Sequence, residues 1–373
     1  MLRNAAFAAF ALTAVSCASP EQKLERYMKS GETYLEQGKL GLANVQFQNA
    51  LKIEEDNVKA LLGLAKIAEK RSNYEQMFGI LQRVARLDPE NIRVKLDLGK
   101  LYLLGDDTAT ALDLVNEVVA AEPKNPEALA IKAAVMFRLQ NNAEAIDLAR
   151  QALALDPKSQ EAAAVLASER VAAEDYAGAL TILDDAIARD PKAAVLHILR
   201  VQVLTKLGRA EDINGAYRQL IGEFPDDANY RRLYATSLIE QGKLADAKAE
   251  LLEVVRILPR ERDAKLDVIR LDYRIGGKAK AEETFRSLIA ADEEDYDLRL
   301  ALGAFLREEK DYAGADAAYH DILNRKGVDI VEILRAKNEL ASLRLLEGKR
   351  PEAEKIISEI LAADQGDPDA LVK

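Results

Sequence analysis

Residues 88–126 read DPENIRVKLDLGKLYLLGDDTATALDLVNEVVAAEPKNP. Two prolines, Pro89 and Pro123, stand 34 residues apart in this stretch. Between them the apolar residues recur with helical period, first as Leu96, Leu101, Leu103 and Leu104 around Gly99, then with Ala111 and Val118. A proline cannot continue the helix before it, because it lacks a donor and clashes with the preceding turn. Asn91 and Asn125 follow the prolines by two residues, where a side-chain oxygen caps the next helix. Pro126 then suits a first helical position. The stretch therefore reads as two helices closed at both ends.

The same ruler extends outward. Pro89, Pro123, Pro157, Pro191, Pro225 and Pro259 follow one another at intervals of 34, in a chain with only ten prolines. A fixed period of this size marks a repeat array, and 34 is the helix–turn–helix period. The eighth position of successive units carries Ala65, Gly99, Ala133, Ala167, Val201 and Ala235. The twentieth carries Met77, Ala111, Ala145, Ala179, Ile213 and Ala247. Small side chains at those points let paired helices approach to about 8–10 Å. Gly38, Gly208, Gly242 and Gly276 read as the turn inside a unit. After Pro259 the phase holds without the proline until Ile330 to Ile333 are inserted, about one helical turn. That insertion reads as a lengthened first helix.

The first unit carries Tyr27, Gly31, Tyr34, Gly38, Ala43, Phe47 and Ala50, an order of aromatic and small residues that resembles the tetratricopeptide repeat. The resemblance implies an all-α, right-handed superhelical solenoid of about ten helix–turn–helix repeats. These fall at 24–57, 58–91, 92–125, 126–159, 160–193, 194–227, 228–261, 262–295, 296–329 and 334–367, with 368–373 as a tail. In an array each unit buries its apolar face only against its neighbours.

Composition agrees with closely packed helices. Apolar residues make up 49%, aromatics only 5%, and Trp is absent. A formal net charge of −11 speaks against nucleic acid as the main partner, since phosphate binding needs a basic face. The single cysteine, Cys17, cannot form an internal disulfide. Before it run Arg3 and then an apolar stretch from Ala5 to Val15, of signal-peptide length and short of the ~20 residues a spanning helix needs. Ala14-Val15-Ser16-Cys17 resembles the lipobox of bacterial lipoproteins. By that resemblance 1–16 is a signal peptide, Cys17 is the acylated first residue, and 17–23 is a tether. Ala18, in place of Asp, implies the outer membrane, periplasmic face. The alternative is an ordinary cleaved signal and secretion to the periplasm.

No catalytic constellation emerges, and no metal or cofactor site is expected. His197 and His320 are the only histidines, and each lacks a companion ligand. His197 reads as packing and His320 as surface. The acidic run Asp292 to Asp295 with Asp297 lacks the glycine and terminal Glu of a calcium loop, and reads as a solvated turn.

In the resembled family the inner groove is lined by the first helix of each repeat, at positions two, five, nine, twelve and thirteen. Carried over, these give Leu62, Lys66, Lys70, Leu96 and Lys100, then Phe137, Val171 and Ile198, then Arg232, Arg270, Tyr273 and Arg274, with Lys59, Arg93, Leu103, Ala130, Ala134, Ala164 and Val195 beside them. The expected groove is basic at both shoulders and apolar between, fit for a segment with apolar anchors and acidic flanks. The Lys/Asn pair with which some relatives grip a C-terminal carboxylate is missing at Leu62/Lys66 and Leu96/Lys100. The expected function is a non-enzymatic scaffold for protein partners of an envelope complex, similar to repeat lipoproteins of exopolysaccharide synthesis and export. The alternatives are a pilotin-like assembly factor for a secretin or type IV pilus, or an adaptor for cell-wall enzymes. Sugar binding would need aromatic platforms, and the expected groove offers only Phe137 and Tyr273.

Overall fold

The computed structural model describes residues 19–372. Cys17 and the apolar run before it lie outside the described residues. Among those described, every regular element is helical, and no helix is long and apolar enough to cross a membrane. The described residues form two compact units, divided between Val203 and Leu204.

The first unit stacks α1 (Pro20–Glu36) with α2 (Leu40–Leu51), α3 (Val58–Lys70) with α4 (Tyr74–Leu87), and α5 (Ile92–Leu104) with α6 (Thr108–Ala121). It continues with α7 (Pro126–Arg138), α8 (Asn142–Leu155), α9 (Gln160–Ala172) and α10 (Tyr176–Arg189), and ends within α11 (Ala194–Lys206). The second unit holds α12 (Ala210–Glu223), α13 (Ala228–Glu240), α14 (Leu244–Ile257), α15 (Arg262–Ala291), α16 (Tyr296–Glu308) and α17 (Tyr312–Leu323). It closes with α18 (Ile330–Leu346), α19 (Arg350–Ala363) and the short α20 (Pro368–Leu371). This is the all-α helix–turn–helix array that the proline ladder predicts.

Both ends of the repeat are set by local chemistry. Asn57, Asn91, Asn125 and Ser159 each accept the backbone N–H three residues on, and so cap α3, α5, α7 and α9. The turn inside each repeat takes a single left-handed residue. Its amide and the next one return to the end of the preceding helix, as when Lys39 N–H donates to the Tyr34 carbonyl at 2.9 Å. Gly38, Gly208, Gly242 and Gly348 occupy that residue, with φ between 65° and 77°. Ser72, Asp106, Gln140, Glu174 and Lys310 occupy it in the other repeats, with φ between 55° and 66°. Residues 20–23, read from sequence as tether, are instead the first turn of α1. Ser19 caps it, accepting from Gln22 N–H and donating its own N–H to Gln22 Oε1.

Packing follows size matching between repeats. Leu81 and Val84 of α4 meet Val94 and Leu98 of α5 in one buried cluster. Ala145, Ala149 and Ala152 of α8 meet Ala130 and Ala133 of α7 and Ala162 of α9, where larger side chains would part the axes. Where an aromatic ring fills the corresponding place, glycine faces it. Phe47 lies on Gly31, and Tyr319 on Gly303.

The eighth repeat departs from this plan. Its two helices run on as α15, kinked at Gly276 (φ −140°, ψ 18°) and Gly277 (φ 66°, ψ −158°). The left-handed residue is thus Gly277, one later than Gly276, where the sequence places the turn. A buried polar group bridges the kink. Asp272, 1% exposed, accepts from Thr284 Oγ1 on the far side, and Lys248 Nζ of α14 donates to both its oxygens at 2.7 and 2.9 Å. α18 is 17 residues long against 13 in α16, with the extra turn at its start capped by Asp329.

Candidate functional site

In the first unit, the second position of successive repeats places Arg93, Glu127 and Glu161 in a column along the first helices. Lys100 Nζ bridges the column, 2.7 Å from both Glu127 Oε1 and Glu161 Oε1. Arg93 donates twice to Asp97, at 2.6 and 2.9 Å, and reaches Glu127 at 3.1 Å. Two cations therefore face three carboxylates. Burial opposes the charge on Glu161, but the neighbouring Lys100 outweighs it and holds the carboxyl below the ordinary range. Burial likewise opposes the charge on Lys100, and Glu161 and Glu127 overcome it, raising its pKa. For Asp97 burial prevails over Arg93 and pushes the carboxyl up.

The rail borders apolar surface. A cavity of about 480 Å³ is lined by Arg93, Asp97, Lys100 and Glu161 together with Tyr74, Leu104, Ile131 and Val195. A second cavity of about 360 Å³ shares Leu103, Ala134, Arg138, Glu161 and Val195 with the first, and adds Phe137. The two form one groove across α3, α4, α5, α7, α9 and the start of α11. Leu104 is 68% exposed and Val195 63%, so apolar side chains in the groove face solvent.

The expected groove residues distribute unevenly. Lys100 lines the first cavity and Phe137 the second. Lys66 and Lys70 are exposed on α3 outside both cavities, and Lys66 pairs with Glu69 at 2.5 Å. Leu62 packs against the core of repeats two and three, and Val171 and Ile198 are half-buried. Leu96 is not groove surface. It is 3% exposed and packs with Val115, Val118, Ala128 and Ile131, because its face of α5 turns toward the next repeat. The basic shoulder expected here is neutralised by carboxylates from later repeats. The sequence reading missed Tyr74, Glu161 and Arg138. The 34-residue spacing of Arg93, Glu127 and Glu161 was the signal that could have found Glu161.

In the second unit Arg232, Arg270 and Arg274 line a cavity of about 370 Å³ with Asp267, Ala235, Ile239 and Leu271. Arg232 Nη2 donates to Glu261 at 2.9 Å, and Arg270 Nη1 to Asp267 at 2.7 Å. Tyr273 turns aside. Its hydroxyl donates to Glu309 at 2.9 Å and its ring meets Phe305 edge-on.

His197 is fully buried, with Nε2 donating to the Pro191 carbonyl at 2.9 Å. His320 sits beside Asp316 on α17. The acidic run has local employment. Asp295 caps α16, Glu293 pairs with Arg325, and Asp297 with Arg335. Among the described residues, no group of three or more His, Cys, Asp or Glu could hold a metal ion.

Residues 165–212 and 214–261 match the family model described as tetratricopeptide repeat. Residues 8–188 match that of the ChAPs, the Chs5p-Arf1p-binding proteins. No enzyme family is indicated. No curated protein matches the chain. Among solved structures, the chain is similar to a tetratricopeptide repeat protein from Parabacteroides merdae, with 18% identity over 67% of this chain and 98% of that one and a TM-score of 0.46. It is also similar to Pseudomonas aeruginosa PilF, with 17% identity over 58% and 99% and a TM-score of 0.41. A third likeness is to human IFIT1, solved as a dimer with m7Gppp-AAAA, with 16% identity over 94% and 96% and a TM-score of 0.39.

Proposed function

We propose that this array of tetratricopeptide repeats is a non-enzymatic scaffold whose first-unit groove holds a polypeptide segment of an envelope complex. The observation that carries the reading is the exposed apolar surface of Leu104, Val195 and Tyr74 bordering a rail whose charges already satisfy one another. Such a site gains by covering apolar side chains, and each charge of the rail already has a partner within it. Neighbouring first helices about 8–10 Å apart and an extended strand at about 3.3 Å per residue set the partner's apolar anchors about three residues apart. The excess carboxylate of the rail argues against acidic flanks at this groove.

The anchor in this reading is acyl chains on Cys17, at the periplasmic face of the outer membrane, with exopolysaccharide synthesis or export as the pathway served. Its support is the sequence Ala14-Val15-Ser16-Cys17, with the cap of α1 at Ser19 two residues on. Stable attachment would take more than one chain. Mass spectrometry of the processed protein should find fatty acids on Cys17, and an unmodified cysteine removes the anchor.

The groove is tested with a photoreactive amino acid at position 195 of the full-length protein in living bacteria. Protease-sensitive adducts are expected, lost on Phe137→Glu or Leu104→Glu. Equal yield from Gln151, exposed on α8, or indifference to both substitutions rejects the groove.

A further inference from the structure

We propose that the second unit carries a separate site, at Arg232, Arg270 and Arg274, that binds a carboxylate-bearing segment of a protein partner. This rests on the scaffold reading for the partner being a protein. The site itself lies wholly on α13, α14 and α15 and shares no residue with the first-unit groove.

The three arginines hold donors that no group among the described residues uses. A guanidinium presents five N–H groups in a planar fork that matches a carboxylate. Arg232 commits Nη2 to Glu261 and points Nε at Asp267 from 3.5 Å. Arg270 commits Nη1 to the other oxygen of the same Asp267, and its side chain is 64% exposed. Arg274 has no hydrogen-bond or ion-pair partner among the described residues. Three guanidinium groups thus share two carboxylates around one cavity, in a chain whose formal charge is −11. The first-unit rail has the opposite balance. Ala235, Ile239, Leu251 and Leu271 line the same cavity, so apolar contact is available beside a charge-assisted pair with an incoming anion. The volume of about 370 Å³ admits one acidic side chain with a neighbouring aliphatic one. Arg270 and Arg274 lie four residues apart on one helix face, so their forks can converge on a single carboxylate or on two successive acidic residues.

The test is fluorescence anisotropy of the full-length protein with a labelled hexapeptide alternating leucine and glutamate. The same peptide with glutamine in place of glutamate is the comparison. The glutamate peptide should bind about tenfold more tightly, and the preference should shrink as salt rises from about 50 to about 500 mM. Arg270→Gln with Arg274→Gln should abolish the preference, whereas Arg286→Gln, an exposed arginine elsewhere on α15, should not. Both substituted side chains of the double variant are exposed, and an unchanged circular-dichroism melt checks that the fold is intact. Phe137→Glu, which disables the first-unit groove, should leave the preference untouched, so the two sites succeed or fail separately. A preference that survives the double substitution overturns the proposal. So does parent protein that binds inorganic phosphate and does not distinguish the two peptides.

Discussion

Phe47 of the first repeat rests on the bare Cα of Gly63 in the second. A β-carbon on Gly63 would lie 2.6 Å from the ring's Cε2 and Cζ. The ring is 1% exposed and is also held by Gly31 from its own repeat, so it has no room to withdraw. Gly63→Ala should therefore destabilise the first unit by about 1–3 kcal/mol through overpacking. Gly79→Ala is the control, because nothing lies within 4 Å of its added carbon and it sits in the exposed interior of α4. It should stabilise by about 0.5–1 kcal/mol. Urea unfolding of the two variants checks both signs.

The left-handed turns give a second test. Glu174 holds φ 59° and Gln140 φ 61°, a conformation that suits glycine. Glu174→Gly or Gln140→Gly should raise stability by about 0.5–1 kcal/mol, the relief of strain exceeding the added freedom of the unfolded chain. Gly277 sits at φ 66°, ψ −158°, a region open almost only to glycine. Gly277→Ala should cost about 1–3 kcal/mol. Thermal melts that rank these variants otherwise would refute the turn assignment.

Asp272 and Lys248 provide a third. Lys248→Met leaves the carboxylate of Asp272 buried without its cation, and should cost about 3–5 kcal/mol. Pairing it with Asp272→Leu should recover most of that loss, because the charge that needed a partner is gone. A double-mutant cycle on chemical unfolding measures the coupling. A double variant no more stable than Lys248→Met alone would show that the pair does not act as a unit.

Acid should expose the rail of the first unit. Glu161 is held below its unfolded pKa, so its charge stabilises the fold above that value and the contribution is lost as pH falls through the folded pKa. Asp97 is raised by burial, so its penalty is absent in acid and sets in as pH rises through its own folded pKa. Lys100→Met should therefore cost about 1 kcal/mol at neutral pH for a partly exposed network. The deficit should close below about pH 4, as carboxylates that have lost their cation take up protons. Stability measured against pH for parent and variant reads this directly. Curves that stay parallel into acid would contradict it.

The architecture was legible because proline, small residues and capping Asn recur at fixed spacing, and each has one physical job. The turn residue was half hidden, since five repeats place Ser72, Asp106, Gln140, Glu174 and Lys310 where glycine would have announced it. The start of α1 was written in Ser19 and Gln22, a reciprocal cap that a reading centred on the repeats passes over. The site was less legible. Whether Leu96 faces the groove or the next repeat depends on a few tens of degrees of helix rotation, which spacing does not fix. The charge at Lys100 is set by Glu127 and Glu161, one and two repeats away, so the lysine alone suggested a basic shoulder that the fold cancels.

The turns inside each repeat have a consequence for how such a chain can vary. With one left-handed residue joining two helices, and the next residue already capping the second in repeats such as those of Asp107 and Asp175, the corner cannot absorb an added amino acid without breaking its closing bond. α18 shows where slack is found instead, in four residues taken up as a complete revolution at the leading end, with Ile330 and Val331 left in the open. Insertions and deletions in this protein should therefore come in quanta of a winding at the leading ends of first helices, and a one-residue change at a corner should be felt as a dislocation through the whole column of neighbours.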